Sequence, residues 1–328
     1  MIMEERILTY RQAVAEAIAE EMRRDNAVFL MGEDVGRHGG AFGATRGLFD
    51  EFGPERVRDT PISESVIAGA GVGAALTGMR PIVEIMYMDF MCMALDSIVN
   101  QAAKVKYMFG GHARVPVTFR TAFGAGRGNA AQHSQSLETW FTVVPGLIVV
   151  MPSTPYDAKG LLKSAIRNDN PVIVIENKLL YPEKGVVPPD DYLVPLGKAV
   201  VRREGKDVTV IATSRVCLMA EKAIEILAGD GVDVEFVDPR TIKPLDMETI
   251  AASVKKTHRV VVVSESHRTG GFTNELSARI MDDCFYDLDA PVIRVAAEDV
   301  PIPYNSKLEA ETIPATKDIV AAVRQVLS

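Results

Sequence analysis

Short runs of almost unbroken Val and Ile, each set between helix-forming stretches, constrain this chain more than any other feature. Val28-Phe29-Leu30-Met31, Pro81 to Tyr87, Val115 to Phe123, Leu147 to Met151 and Pro171 to Glu176 form one series. Asp207 to Ala212, Val232 to Val237, Val260 to Ser264 and Val292 to Val295 form a second. A strand that is apolar on both faces has to be covered on both, and strands that alternate with helices pair in parallel. The expected fold class is therefore α/β, with doubly wound parallel sheets. At 328 residues the chain exceeds one ordinary core, so two domains are expected. The Pro-bearing, weakly apolar stretch from Tyr181 to Pro195 marks the join, giving a first domain over 1–185, a linker over 186–200 and a second domain over 201–328.

Helix signals fill the intervals. Thr9-Tyr10-Arg11-Gln12 reads as a capping box, followed by Val14, Ala17, Ile18 and Met22 at helical spacing. Pro61 and Ser63 read as the start of a helix, with Ser63 as N-cap and Glu64 as its first residue. That helix carries Ala and Gly at 68–71 and 73–75, so its flank is bare enough for a backbone or a flat ligand to approach closely. Asp89-Phe90 opens a long helix through Leu95, Ile98, Ala102, Val105 and Met108, stopped by Gly110-Gly111. Pro155 to Arg167, Val216 to Leu227, Met247 to Lys255, Phe272 to Met281 and Lys317 to Leu327 complete the set.

A formal net charge of −8 and a pI near 5.3 disfavour nucleic acid and anionic membranes as partners. Cys92, Cys217 and Cys284 are widely spaced and form no CxxC, so they read as buried free thiols in a reducing compartment. Met1 to Asn26 has five glutamates and no apolar h-region, and no apolar run approaches the ~18 residues of a membrane span, which places the protein in the cytoplasm.

Two motifs mislead. Gly69-Ala70-Gly71-Val72-Gly73-Ala74 fits the dinucleotide fingerprint, but its first Gly falls inside a helix rather than directly after a strand, so it reads as close packing. Gly229-Asp230-Gly231 resembles a Mg²⁺-diphosphate motif but sits at a helix-to-strand turn, and no Asn follows at the expected distance. Of the five histidines, His133 stands out because it lies in the Gly-rich loop Gly124 to Gln135 beside Ser134, where it is a candidate acid–base group. The other four form no metal spacing, and no P-loop, G-x-S-x-G or H-E-x-x-H occurs. Glu33 and Asp34 follow a strand's carboxyl end, where open α/β sheets place ligands.

Taken together, Asp59 to Glu64, Ala130 to Gln135, Pro152 to Leu162, and Val237 to Thr241 with Pro244-Leu245-Asp246 resemble the β subunit of the E1 component of 2-oxo acid dehydrogenase complexes. The resemblance covers nearly the whole chain. It implies a pyrimidine-binding domain for thiamine diphosphate followed by a transketolase C-terminal-like domain. It also implies an α2β2 heterotetramer in which the α subunit holds Mg²⁺ and the diphosphate. By motif position, Glu64 would hydrogen-bond the pyrimidine N1′ and favour the imino tautomer, with Phe90 against the ring and Met86 lining the pocket. Glu33 matches an acid in a polar passage between paired sites. His133 would donate a proton as the acyl unit passes to the lipoyl arm of the E2 acyltransferase. Carbonyls at Val117, Ala165, Ile166, Asn168 and Asn170 match a structural K⁺ site, although relatives often have Asp where Asn168 stands. The expected substrate is a 2-oxo acid, pyruvate first. Acetoin is the alternative suggested by Asn100 to Lys104 and Tyr107 to Gly111. A stand-alone NAD-dependent dehydrogenase and a purely structural subunit are the remaining readings.

Overall fold

The computed structural model describes residues 6–328. The chain divides into two compact units, one formed by residues up to 123 with 140–196, the other by 124–139 with 197–328. In chain order, the elements up to residue 196 are β1 (Ile7–Thr9), α1 (Tyr10–Arg24), β2 (Val28–Gly32), α2 (Leu48–Phe52), β3 (Val57–Asp59), α3 (Glu64–Leu76), β4 (Arg80–Tyr87), α4 (Ala103–Met108), β5 (Thr118–Phe123), α5 (Thr139–Thr142), β6 (Ile148–Val150), α6 (Pro155–Arg167), β7 (Val172–Asn177) and β8 (Lys184–Val186). Strands of the first unit lie in the order β6-β7-β5-β4-β2-β3, all parallel. This is the sheet that the Val and Ile runs required.

Thr9 caps α1 with the expected reciprocal box, its side chain accepting from the Gln12 amide. On the far face, α1 and α6 are joined by charge: Lys159, fully buried, donates to Glu16 at 2.6 Å and Glu20 at 2.7 Å. Gly71, in the interior of α3, lies so close to β4 that a Cβ there would come within 2.4 Å of Val83 Cγ2. Gly71 therefore serves packing, and the helix begins five residues before Gly69, at Glu64.

Three segments differ from expectation. Residues after β4 do not form one long α-helix: Met88–Ala94 is a 3₁₀ segment, Asp96–Ala102 a π-helical one, and only Ala103–Met108 is α-helical. The Ala103 amide reaches the Ile98 carbonyl, five residues back, which is the widened turn of a π segment. The 186–200 linker expected from composition is not a free tether. Strand β8 pairs antiparallel with β1, and beyond it the Val194 amide donates to the Gly160 carbonyl while Tyr192 stacks on Tyr156 at 4.5 Å. Residues 124–139, assigned by sequence to the first domain, pack with the second unit, where the amides of Ala125, Gly126 and Gly128 find carboxylates.

The remaining elements are β9 (Val200–Arg203), β10 (Val208–Ala212), α7 (Val216–Gly229), β11 (Val234–Asp238), β12 (Thr241–Lys243), α8 (Met247–Thr257), β13 (Val260–His267), α9 (Phe272–Cys284), β14 (Ile293–Ala297), α10 (Ser306–Thr312) and α11 (Thr316–Leu327). A second sheet runs β14-β13-β10-β11-β9, parallel except for β9, which joins antiparallel at one edge. Its core is Val- and Ala-rich, with α7 and α11 closing one face. Gly229-Asp230-Gly231 is the turn that ends α7, with Gly231 at φ +82°. Cys217 and Cys284 are buried, whereas Cys92, expected to be buried, is exposed within the 3₁₀ segment.

One buried charge cluster runs across the centre of the first sheet. Arg120 on β5 donates to Glu84 on β4 at 2.6 Å and, through two nitrogens at 2.8 Å, to Glu176 on β7. Burial and the neighbouring Glu176 push the Glu84 carboxyl up, opposed by Arg120. Removing the cation strands two buried carboxylates, so Arg120→Met should cost about 3–5 kcal/mol. Loss of the surface pair Arg324–Asp230 through Arg324→Ala should cost about 0–1 kcal/mol. Denaturant midpoints of the two variants measure the difference.

Candidate active site

The strand order brings the carboxyl end of β2 next to those of β3 and β4. Gly32 ends β2 with no room for a side chain, since a Cβ would meet the Glu84 carbonyl at 2.7 Å. Glu33 follows directly, and Asp34 takes a left-handed conformation at φ +55° that turns the chain away. After β3, the Thr60 amide returns to the Gly32 carbonyl at 3.0 Å, which carries Pro61 to Glu64 back over the end of β2. Ser63 is the N-cap residue of α3 in position only: its hydroxyl donates to the Pro61 carbonyl at 3.2 Å and makes no cap bond. The expected Ser63 side-chain cap is thus corrected; with φ −169° and ψ 68° its backbone aims the hydroxyl backward into a turn.

Glu33 and Glu64 are thereby placed as electrostatic neighbours. Glu33 is buried and its Oε1 has no hydrogen-bond partner. Burial, with the charges of Glu64, Asp34 and Glu84 adding to it, raises the Glu33 carboxyl above the usual carboxylate range, and the Ser63 amide only partly offsets this. Glu64 is partly exposed at the first position of α3, where four backbone amides lack helical partners.

Phe90 and Met86, both half-buried, lie on the segment following β4 and on β4 itself. Phe90 belongs to a chain of aromatic contacts. Its ring meets Tyr87 edge-on at 6.2 Å, Tyr87 meets Phe42 at 5.6 Å, Phe42 stacks on Tyr181 at 5.2 Å, and Tyr181 meets Tyr10 at 5.8 Å. The buried Lys178 ammonium lies 5.3 Å from the Tyr87 ring centre, a cation–π contact. Apart from Phe90, these rings and Glu84–Arg120–Glu176 were not singled out in the sequence. The available signal was a lone charge inside each apolar strand: Glu84, Arg120 and Glu176 interrupt β4, β5 and β7.

His133 is half-buried and belongs to the second unit, so the structure assembles Glu33, Glu64, Met86 and Phe90 within one unit and places His133 in the other. The residues matched to potassium are also spread over first-unit backbone. The carbonyls of Ile166 and Asn168 each accept from Arg80 Nη1 at 3.1 Å, and the Asn170 side-chain oxygen accepts from Lys106 at 2.8 Å. The Ala165 carbonyl accepts from the Asn168 amide and the Val117 carbonyl from the Val172 amide, both at 3.1 Å. The Asn168 side chain turns onto Asn170 at 2.9 Å. Among the described residues, no cluster of His, Cys, Asp or Glu is arranged to hold a metal ion, and no helix is long and apolar enough to cross a membrane.

Comparison with known proteins fixes what this scaffold is. Residues 6–184 match the family described as transketolase, pyrimidine binding domain, and residues 197–319 match transketolase, C-terminal domain. The chain is 48% identical over 320 residues to a pyruvate dehydrogenase E1 component subunit beta of Rhizobium meliloti (strain 1021), covering 97% of this chain and 70% of that one. It is 46% identical over 322 residues to a 2-oxoisovalerate dehydrogenase subunit beta of Bacillus subtilis (strain 168), covering 98% of both. The chain belongs to the E1 β-subunit family of 2-oxo acid dehydrogenases. A solved split-gene transketolase, described as an inactive beta4 tetramer, shares the fold at a TM-score of 0.79 and 24% identity over 98% of each chain. Membership of the E1 β family implies an α partner, and the pyrimidine-binding domain implies thiamine diphosphate as coenzyme.

The raised Glu33 carboxyl gives a signed expectation. Its folded pKa lies above the unfolded value of ~4.3, so the folded state holds the proton more tightly and stability falls as pH rises through the window between the two. Glu33→Gln removes this penalty. The variant's melting temperature relative to the parent should therefore be higher at pH 7 than at pH 4; an offset independent of pH would contradict it.

Proposed function

We propose that this chain is the E1 β subunit of a 2-oxo acid dehydrogenase, acting on pyruvate, and that it supplies the pyrimidine-facing half of a thiamine diphosphate site completed by its α partner. The observation that carries the reading is the pair of neighbouring carboxylates at the end of β2 and the start of α3, one buried with an unpartnered oxygen. An aminopyrimidine offers the nitrogen and amino donors that such groups lack, so the residues fit the coenzyme. When bound, thiamine diphosphate supplies a carbon nucleophile that accepts the electrons released as CO₂ leaves.

The chain's own residues have separable tasks. Glu64, at the N-terminus of α3, would share a proton with the pyrimidine N1′. Glu33, beside it, keeps the neighbourhood anionic enough that this proton is held rather than lost. Phe90 and Met86 would present apolar surface to the ring and exclude water. His133 would donate a proton when the acyl unit passes to the lipoyl group of E2. Mg²⁺ would be held mainly by the α subunit. A potassium ion would rely on the second lone pairs of the Val117, Ala165, Ile166 and Asn168 carbonyls, with Arg80 and Lys106 as resident competing cations. No step depends on it.

Pyruvate-named and 2-oxoisovalerate-named relatives stand nearly level in identity, at 48% and 46%. Assay of the reconstituted α and β subunits with pyruvate, 2-oxoisovalerate and acetoin, using an artificial electron acceptor, is therefore the test. Pyruvate should give the highest kcat/KM, and Glu64→Gln should lower kcat at least ~100-fold. A preference for 2-oxoisovalerate or acetoin overturns the substrate, and full activity of Glu64→Gln overturns the role of the carboxylate.

A further inference from the structure

The loop carrying His133 is held by an acid from a distant part of the chain. Glu309, in α10, is 2% exposed. Its Oε1 accepts from the Gly126 amide at 2.8 Å and its Oε2 from the Gly128 amide at 2.9 Å. Both glycines have positive φ, +97° and +65°, which turns alternate amides inward into a concave anion cradle. Such cradles commonly hold a phosphate or other external anion; here the occupant is a carboxylate of the same unit. One residue earlier, the Ala125 amide donates to Glu265 at 2.6 Å. Two residues beyond Gly128, Ala130 adopts φ +59°, a conformation that an L side chain rarely takes. The His133 amide then closes back towards the Ala130 carbonyl. The strained turn next to His133 is therefore fixed at its upstream end by one doubly bonded carboxyl group.

We propose that Glu309 is a positioning residue for acyl transfer: by seating its carboxylate in the Gly126–Gly128 cradle it sets the loop from which His133 acts on the lipoyl group. This rests on the reading of His133 as the proton donor in that step. In the step, the acyl carbon forms a bond to one sulfur of the lipoyl disulfide and the S–S bond breaks. The two electrons left at that carbon by loss of CO₂ reduce the disulfide and the departing thiolate takes the proton from His133; as the hydroxyl proton goes to solvent the carbon becomes the thioester carbonyl, and its bond to the coenzyme breaks with the electron pair returning to the coenzyme. Decarboxylation precedes this step and does not call on the loop. Glu309 should therefore act on one half-reaction far more than on the other.

Glu309→Gln keeps the size of the side chain but turns an NH₂ towards one of the two amides, leaving only one bond intact. In the reconstituted α and β enzyme, acyl transfer to a lipoylated E2 lipoyl domain should fall at least ten-fold, while decarboxylation read by an artificial electron acceptor falls less than three-fold. Hydrogen exchange at residues 125–130 should quicken with the rest of the chain unchanged, which separates loop release from general unfolding. Gly128→Val, which strains the cradle without touching the acid, should reproduce the split. Equal losses in the two half-reactions, or no loss, would overturn the positioning role. His133→Ala, assayed alongside, distinguishes the failures: if it transfers normally the role of His133 falls, and if it is defective while Glu309→Gln is normal only the role of Glu309 falls.

Discussion

One guanidinium facing two carboxylates organises the centre of the first sheet. Arg120 binds Glu84 on one neighbouring strand and Glu176 on the other, so three adjacent parallel strands share a single buried charge network. A buried network of this kind brings little net stability over an apolar core. What it specifies is register, because a slip of one residue would turn Arg120 to the opposite face and leave both acids alone. It also leaves a local excess of negative charge, since two acids answer one base.

That excess reaches the site. Glu84 is among the charges that raise the Glu33 carboxyl, and Glu64 contributes before it. The carboxyl end of β2 is therefore an acid-rich place where a proton is held more tightly than on an ordinary surface glutamate. Phe90 and Tyr87, in edge-on contact at 6.2 Å, lie at and just beyond the carboxyl end of the neighbouring β4. The architecture supplies the arrangement cheaply: a glycine that lets β2 press against β4, a residue in the left-handed region, and a return of the chain at Thr60.

Much of this was legible in the sequence, because the physics involved is local. The Thr9–Gln12 capping box, the span of α6 and the packing role of Gly71 follow from spacing and residue type, and the structure has each of them. The features that were not legible depend on distant partners. A π turn at Asp96–Ala102 has the same residue pattern as an α-helix, and only the bond from Ala103 to Ile98 distinguishes them. Strand β8 was hidden because Lys184–Val186 becomes a strand only by pairing with β1. The Gly-rich loop was assigned to the first domain by position, whereas its amides are satisfied by Glu265 and Glu309, more than a hundred residues away. Arg120, Glu84 and Glu176 each look like an isolated charge until the sheet sets them side by side.

The central claim is that this chain holds only half of a coenzyme site: an acid for the pyrimidine, with the grip on the charged diphosphate supplied by another polypeptide. Calorimetric titration of thiamine diphosphate with Mg²⁺ into the chain alone, and then into the chain mixed with its α partner, tests that claim most directly. Saturable binding should emerge only in the mixture. Tight, stoichiometric binding by the isolated chain would contradict it.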